Sequence, residues 1–395
     1  MMICIKKRFF NWNRFLLLLF GLWPYKETIF TNLLGTLVCN YLMSIIVVLL
    51  LRFYFVECSF DFVVKMLCGV TFYAILAIPP ITMWMKTKDV RYLLDQLQHI
   101  YNQLKDKDEI AIYDKYGYIA KRMTIRIIIL IMSGLYFIGV MVYWPYTFDI
   151  IMPKNESYAT RIMEFVTEYF VVQEQFHFFL ILHLSTVSFT GSVLTTAVGT
   201  MIISYFKHIC GMFEIASYRI EKAMAIELLH NFDMKNGIVI CRKIICAVDI
   251  QRQAMEFATA SVNSLEGSVL ALVIIIVLCM SLNLLRIFQI ESPAERIEEV
   301  LLHLSVVIII MCSTLLANNS GQEVTDYSNH VYVTIYNVPW YLAPVNIQKL
   351  ILFLLQRSSK IFTLNISGIF VASLKCFATL INASMSYFTF MYSVQ

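Results

Sequence analysis

The chain has 395 residues, 59% of them hydrophobic and only 15% charged. That leaves too little polar surface for a soluble protein of this size, and a soluble enzyme is excluded. The net charge of +4 says little about partners, and the cations form no basic stripe for nucleic acid.

Residues 1–27 form a basic amino-terminal segment in which Lys6, Lys7, Arg8 and Arg14 precede the apolar run Phe15 to Trp23. The run lacks a small-residue cleavage site and stops at Pro24, so it reads as an uncleaved amphipathic or re-entrant segment. Seven stretches free of Lys, Arg, Asp and Glu follow: Thr28 to Leu51, Met66 to Met85, Ile127 to Phe148, Gln175 to Phe206, Gly267 to Leu285, Val300 to Gln322 and Cys376 to Gln395. Each supplies roughly the 20 helical residues that span a hydrocarbon core. Backbone in lipid must pair internally, which makes these stretches helices. The expected fold is an all-α membrane protein with seven transmembrane helices: four within 28–206, two within 267–322 and the last within 361–395.

The connections carry helical patterns of their own. Between Lys86 and Arg126, apolar residues recur at Val90, Leu93, Leu94, Leu97, Ile100, Tyr101 and Leu104, an amphipathic stripe that needs a partner. Residues 207–266 have few turn signals apart from Asn236-Gly237 and read as long helices running on from the spans. Packing of these helices on one another and a platform where subunits meet both fit. Tyr327 to Gln348 is also uncharged, but Ser328, Asn329, His330, Asn337, Asn346 and Gln348, with Pro339 and Pro344, make it a connection within the cytoplasmic segment 323–360 rather than an eighth span.

Of the 31 Lys and Arg, 24 lie in the amino end and the second, fourth and sixth connections, against 6 in the first, third and fifth. The positive-inside bias places the amino terminus in the cytoplasm and the carboxyl terminus outside. Asn155-Glu156-Ser157, a glycosylation acceptor, then falls in an outer loop. Of the ten Cys, only Cys58 falls clearly in an outer loop, so no disulfide between outer loops is expected, and Cys210, Cys241 and Cys246 face a reducing compartment as thiols. P-loop, HExxH, GxSxG and CxxC motifs are missing, so neither an enzyme nor a cofactor is expected. His177 and His183 are six apart, off the spacing that stacks two metal ligands on one helix face, and no metal site is proposed.

Two sets of residues stand out within the spans. In the last one, Lys375, Thr379, Asn382, Ser386 and Ser393 share one helix face at about 100° per residue. A polar stripe faces protein or water rather than lipid, and interhelical hydrogen bonding and a pore wall both fit it. The outer halves of the second to fourth spans hold Phe72 and Tyr73; Tyr136, Gly139, Val140, Tyr143 and Trp144; and Phe179, Leu180 and His183. Such a set suits a buried, aromatic-lined cavity for a small apolar molecule. Each member also fits a core position or an interfacial anchor, Trp144 beside Pro145 above all.

The segment His208 to Glu221 (HICGMFEIASYRIE) resembles the exit of the fourth span in insect odorant receptors, especially the expanded ant, bee and wasp sets. Leu22-Trp23-Pro24 is similar to that family's amino-terminal signature. Further similarity comes from Gly321, Ser328, Tyr336, Pro339-Trp340-Tyr341, Gln348-Lys349, Gly368-Ile369-Phe370 and the terminal Ser386-Tyr387-Phe388-Thr389. The resemblance covers essentially the whole chain, departing at Ile361, where many members have Pro. It implies a tuning subunit of an odorant-gated, nonselective cation channel, assembled as a heterotetramer with a shared co-receptor in the plasma membrane of olfactory sensory neuron dendrites. The co-receptor's own hallmark, a longer cytoplasmic second loop region, is missing. By the same resemblance 323–360 is an assembly segment and the last helix lines the pore. Phe390 and Val394 then occupy a hydrophobic gate, with Ser393 at a polar pore position, although Phe390 is bulkier than the aliphatic residue common there. The family's inverted topology agrees with the orientation read from charge. A G-protein-coupled receptor would require the opposite orientation, and NPxxY-like and DRY-like motifs are missing. A secondary transporter predicts intramembrane charges or repeated halves, and apart from Lys375 neither is found.

Overall fold

The computed structural model describes residues 5–26, 28–55, 59–151, 177–225, 234–290 and 297–394. Twelve helices are named here among them: α1 Ile5–Arg8, α2 Asn11–Leu19, α3 Ile29–Phe55, α4 Phe60–Met85, α5 Thr87–Gln103, α6 Lys107–Ile151, α7 His177–Ala223, α8 Met234–Asn263, α9 Glu266–Gln289, α10 Ile297–Asn337, α11 Val345–Ser358 and α12 Leu374–Val394. Six of them (α3, α4, α6, α7, α9 and α10) are long and apolar enough to cross a membrane. Helix α12, expected from the sequence to be the seventh span, has 21 residues but is not among the six, its composition made less apolar by its polar face.

Three helices far outrun the bilayer. At 1.5 Å per residue, the 45 residues of α6 and the 47 of α7 extend about 70 Å, against a core of about 30 Å. The surplus of α6, α7 and α10 gathers at one end of the bundle with α5, α8 and α11. There the start of α6 meets the end of α7. Arg219 grips both oxygens of Glu109 at 2.8 Å, Tyr218 donates to Asp108 at 2.8 Å, and Lys222 pairs with Asp106 at 2.6 Å. The Lys222 ammonium holds the Asp106 carboxyl below its usual range.

The stripe expected in the second connection is α5: Val90, Leu93, Leu94, Leu97, Ile100, Tyr101 and Leu104 are all buried. The segment Tyr327 to Gln348 is mostly helical. Residues up to Asn337 continue α10, and the chain then breaks at Pro339, makes a 3₁₀ turn over Trp340–Leu342 and restarts as α11.

The amino-terminal segment docks rather than trails. Asn13 of α2, fully buried, donates to Ala197 O at 2.9 Å and Thr200 Oγ1 at 2.8 Å on α7. Phe9, Phe10 and Tyr113 surround His208 with ring centroids 4.9 to 5.6 Å away. The Leu22-Trp23-Pro24 corner is pinned by Arg91, whose Nε donates to Pro24 O at 2.9 Å. Gly21 ahead of it has φ +73°, and a Cβ there would stand 2.7 Å from Thr31 O, so only glycine fits.

Helix α4 contains Pro79 and Pro80. Pro80 has no N–H for the Leu76 carbonyl, and Thr195 of α7 supplies the donor instead at 2.8 Å. Ahead of α12, a short hairpin pairs Asn365–Ile366 with Phe370–Val371. Its turn places Ser367 at φ 55° and Gly368 at φ 70°. Ser373 then caps α12, its Oγ accepting from Cys376 N at 3.2 Å.

Candidate ligand site and pore face

Two of the candidate residues are held by hydrogen bonds between α7 and its neighbours, Tyr73 from α4 and His183 against α3. Tyr73 of α4 lies 3.0 Å from Ser188 Oγ. That serine already donates to Leu184 O, so the tyrosine hydroxyl is the donor. His183 Nε2 lies 3.1 Å from Ser44 Oγ of α3. Ser44 donates to Tyr41 O, which makes it the acceptor and fixes the Nε2–H tautomer of the imidazole. Nδ1 is then left as a hydrogen-bond acceptor. Tyr41 sets its ring edge-on to His183 at 5.4 Å and bonds Thr186 Oγ1.

Other candidates lie apart. Phe72 touches Tyr73 edge-to-face but also packs against the cluster of Cys279, Met280, Val307 and Ile310 from α9 and α10. Tyr136, Val140 and Phe179 are exposed, and Gly139 has open space around it. The side chains of Tyr143, Trp144 and Leu180 lie outside the described residues, as does Asn155. Tyr41, Ser44, Thr186 and Ser188 escaped the sequence reading. Their signal was the run of hydroxyls in the fourth span, Ser185, Thr186, Ser188, Thr190 and Ser192, of which Thr186 meets Tyr41 of α3 and Ser188 meets Tyr73 of α4.

The last helix has two distinct faces. Leu380, Ser384 and Phe388 are buried; Ser384 O accepts from Ser281 Oγ of α9 at 2.9 Å, and Phe388 packs with Val64, Cys68, Leu282 and Leu285. Met391 packs beside that cluster. On the other side Lys375, Thr379, Asn382, Ser386, Phe390, Ser393 and Val394 are all exposed. Thr379, Ser386 and Ser393 donate back to carbonyls of α12 itself. Interhelical hydrogen bonding within the subunit, one of the two readings of this stripe, is therefore not its role among the described residues.

Sequence reasoning also ended the fifth span at Leu285 and found no intramembrane charge but Lys375. Helix α9 in fact runs on through Arg286, which is 3% exposed and paired with Asp61 and Glu299, and Lys65 is buried one turn into α4. Pairing is what lets those charges leave water.

A wide concavity of about 590 Å³ lies far from both faces, at the ends of α7 and α10, lined by Glu221, Met224, His330, Thr334, Asn337 and Pro339. Its position beside charged, water-facing helix ends does not suit an apolar ligand. Among the described residues no group of three or more His, Cys, Asp or Glu stands close enough to hold a metal ion.

A family model described as 7tm Odorant receptor matches residues 59–385. Two solved structures share the fold, each covering 98% of both chains. The insect olfactory receptor OR5 from Machilis hrabei in complex with eugenol has a TM-score of 0.77 at 11% identity. A second structure of OR5 has 0.75 at 12% identity. No curated sequence matches the chain.

Proposed function

The chain belongs to the 7tm odorant receptor family, and from that membership we propose that it is the odorant-binding subunit of a ligand-gated, nonselective cation channel, assembled as a heterotetramer with a shared co-receptor. The observation that carries the proposal is the exposed face of α12. A polar stripe left uncovered among the described residues, ending in the apolar pair Phe390 and Val394, suits a water-filled axis shared between subunits. A ring of such apolar side chains blocks ions by dewetting, and a small displacement rehydrates it.

Assembly would use the segment 323–360. Tyr341, Leu342, Val345, Leu352 and Phe353 expose large apolar side chains there, at 52 to 68%, uncovered among the described residues. The charge bias supports a cytoplasmic location for this end and an extracellular carboxyl terminus. The ligand is a small apolar odorant, as eugenol is the ligand of the Machilis hrabei receptor. Tyr73, His183, Tyr41 and Ser44 orient it, and Tyr136, Gly139, Val140, Tyr143, Trp144, Phe179 and Leu180 form the outer wall together with Phe72. The subunit resides in the plasma membrane of the olfactory neuron dendrite, and Asn155 is its glycosylation site.

Whole-cell recording with an odorant panel, with and without the co-receptor, tests the proposal. Odorant-evoked cation current is expected only from the pair. Equal current from this chain alone would contradict the assembly, and a G-protein-dependent response with an extracellular amino-terminal tag would overturn the channel.

A further inference from the structure

One end of the bundle contains a charged cluster in otherwise apolar surroundings. Arg286 of α9 is 3% exposed. Its Nη1 bonds Asp61 of α4, while its Nε and Nη2 reach Glu299 Oε1 of α10 at 2.8 and 2.6 Å. Lys65 adds a second cation to Asp61 at 3.2 Å. One turn deeper, Asn283 of α9 donates to Cys279 O at 2.7 Å, so its amide oxygen faces the buried His303 of α10 and accepts from Nδ1 at 2.8 Å. Helices α9 and α10 are thus tied at two consecutive levels, and α4 joins them at the outer one.

A guanidinium at the edge of the hydrocarbon is costly to bury, and well-packed apolar side chains stabilise such a contact as well as an ion pair does. What two-sided pairing adds is a fixed position, because Arg286 is satisfied only when α4 and α10 both stand where they do. What that position supports is the end of α12. Leu285, next to Arg286, shares a cluster with Val64, Cys68, Leu282 and Phe388. Phe288 stacks on Phe388 at 5.1 Å and meets Tyr392 at 6.3 Å. The segment of α12 that rests on this platform is the one whose opposite face carries Phe390 and Val394.

We infer that Arg286 is a positioning residue for the gate: by clamping Asp61 of α4 to Glu299 of α10 it fixes the platform of α9 and α4 on which the end of α12 rests, and so holds the Phe390 and Val394 constriction closed without ligand. The inference rests on the pore reading of α12. Loosening the clamp leaves α12 on a mobile support and makes the constriction easier to wet.

The test uses the full chain expressed with the co-receptor. Asp61→Asn and Glu299→Gln each remove one leg while leaving Arg286 a carboxylate, and Asp61→Glu keeps the charge. Ligand-free cation current per surface-labelled subunit is expected to rise about five-fold or more in the two neutral variants, within the usual range of coupling between sites, and to stay at the wild-type level in Asp61→Glu. In parallel, Cys68 and Cys279, 4% and 0% exposed beneath the clamp, should react faster with a membrane-permeant maleimide, read by mass spectrometry at those residues. Unchanged resting current at equal surface density, or the same rise in Asp61→Glu, overturns the inference. Should an odorant panel evoke no more current from the wild-type pair than from the co-receptor alone, the pore reading fails instead. Maleimide labelling then decides the clamp: faster reaction in both neutral variants upholds it, and an unchanged rate overturns it.

Discussion

Replacing Gly321 by Ala measures how closely α10 holds the start of the last helix. A Cβ at position 321 would stand 2.5 Å from the Ala372 Cβ and 2.8 Å from the Ala372 carbonyl oxygen. Apolar carbons need about 3.8 Å, so the strand leading into α12 must retreat by roughly 1.3 Å, since a helix backbone cannot yield at a single position. Retreat pulls on two bonds that set where α12 begins: Ser373 N to Asn318 Oδ1, 3.3 Å, and Cys376 N to the Ser373 Oγ cap, 3.2 Å. Overpacking costs about 1–3 kcal/mol and a lost helix cap about 1 kcal/mol, giving about 2–4 kcal/mol together. In detergent, the purified variant should melt several degrees lower by fluorescence-detected size-exclusion chromatography. Adding Ala372→Gly removes the Cβ collision but not the carbonyl one, so it should recover only part of the loss. An unchanged melting temperature in Gly321→Ala would refute the close approach, and with it this account of why glycine stands there.

Four further outcomes follow. In the assembled channel, a Cys at Ser393 should react with a soluble thiol reagent and alter current, whereas a Cys at Met391, packed on the Phe388 cluster, should not; the reverse pattern would show α12 rotated. Replacing Phe390 by Ser should raise ligand-free current, only in part because the other subunits keep their own gate residues, and unchanged resting current would remove Phe390 from the gate. Tyr73→Phe removes the donor to Ser188 and should shift odorant sensitivity by about five- to ten-fold, the worth of one hydrogen bond, as should Tyr143→Ala or Trp144→Ala through lost area and shape; equal loss of the co-receptor-agonist response would mark a folding defect instead. Arg219→Lys breaks the two-pronged contact with Glu109 and the 2.7 Å bond to Cys246 O, and should lower the melting temperature because an ammonium cannot reproduce the fork; equal melting of variant and wild type would mean that the α6–α7 junction does not depend on this pair.

Much of this architecture is legible because the relevant periodicities are strong. The stripe of α5 and the two faces of α12 both follow from counting at about 100° per residue, and burial agrees at Leu93, Leu97, Ile100 and Phe388. The ends of the elements are less legible. A rule that stops a span at the first charge ends α9 at Leu285, because sequence alone does not reveal that Arg286 finds Asp61 from 225 residues away. Similarly, nothing local marks Tyr327 to Asn337 as a continuation of α10, since polar residues on a helix that has already left the bilayer look like a loop. The proposed ligand site was half visible. Aromatic residues drew attention to Tyr73 and His183, but their partners Ser44, Thr186 and Ser188 are small hydroxyls, whose usual bond to a carbonyl of their own helix conceals a second role.

The distribution of burial suggests how the parts divide their work. Tyr113, Phe213 and Phe257, among the bulkiest fully buried side chains, all lie in the helical extensions, where water drives apolar surface together. The spans have no such drive, since lipid solvates their side chains as well as a neighbouring helix does. Accordingly only 6% of the apolar stretch of α6 is buried within the chain, and no other span exceeds 44%. Loosely packed spans held by a few polar contacts, such as Tyr73 to Ser188 and His183 to Ser44, can exchange one arrangement for another at small cost. The extensions, joined by Arg219 and Glu109 and packed through α5 and α8, stay as they are. Both the proposed ligand site and the α12 face lie in the loosely packed part, which is where a small molecule's modest binding energy is sufficient to shift the balance between two states.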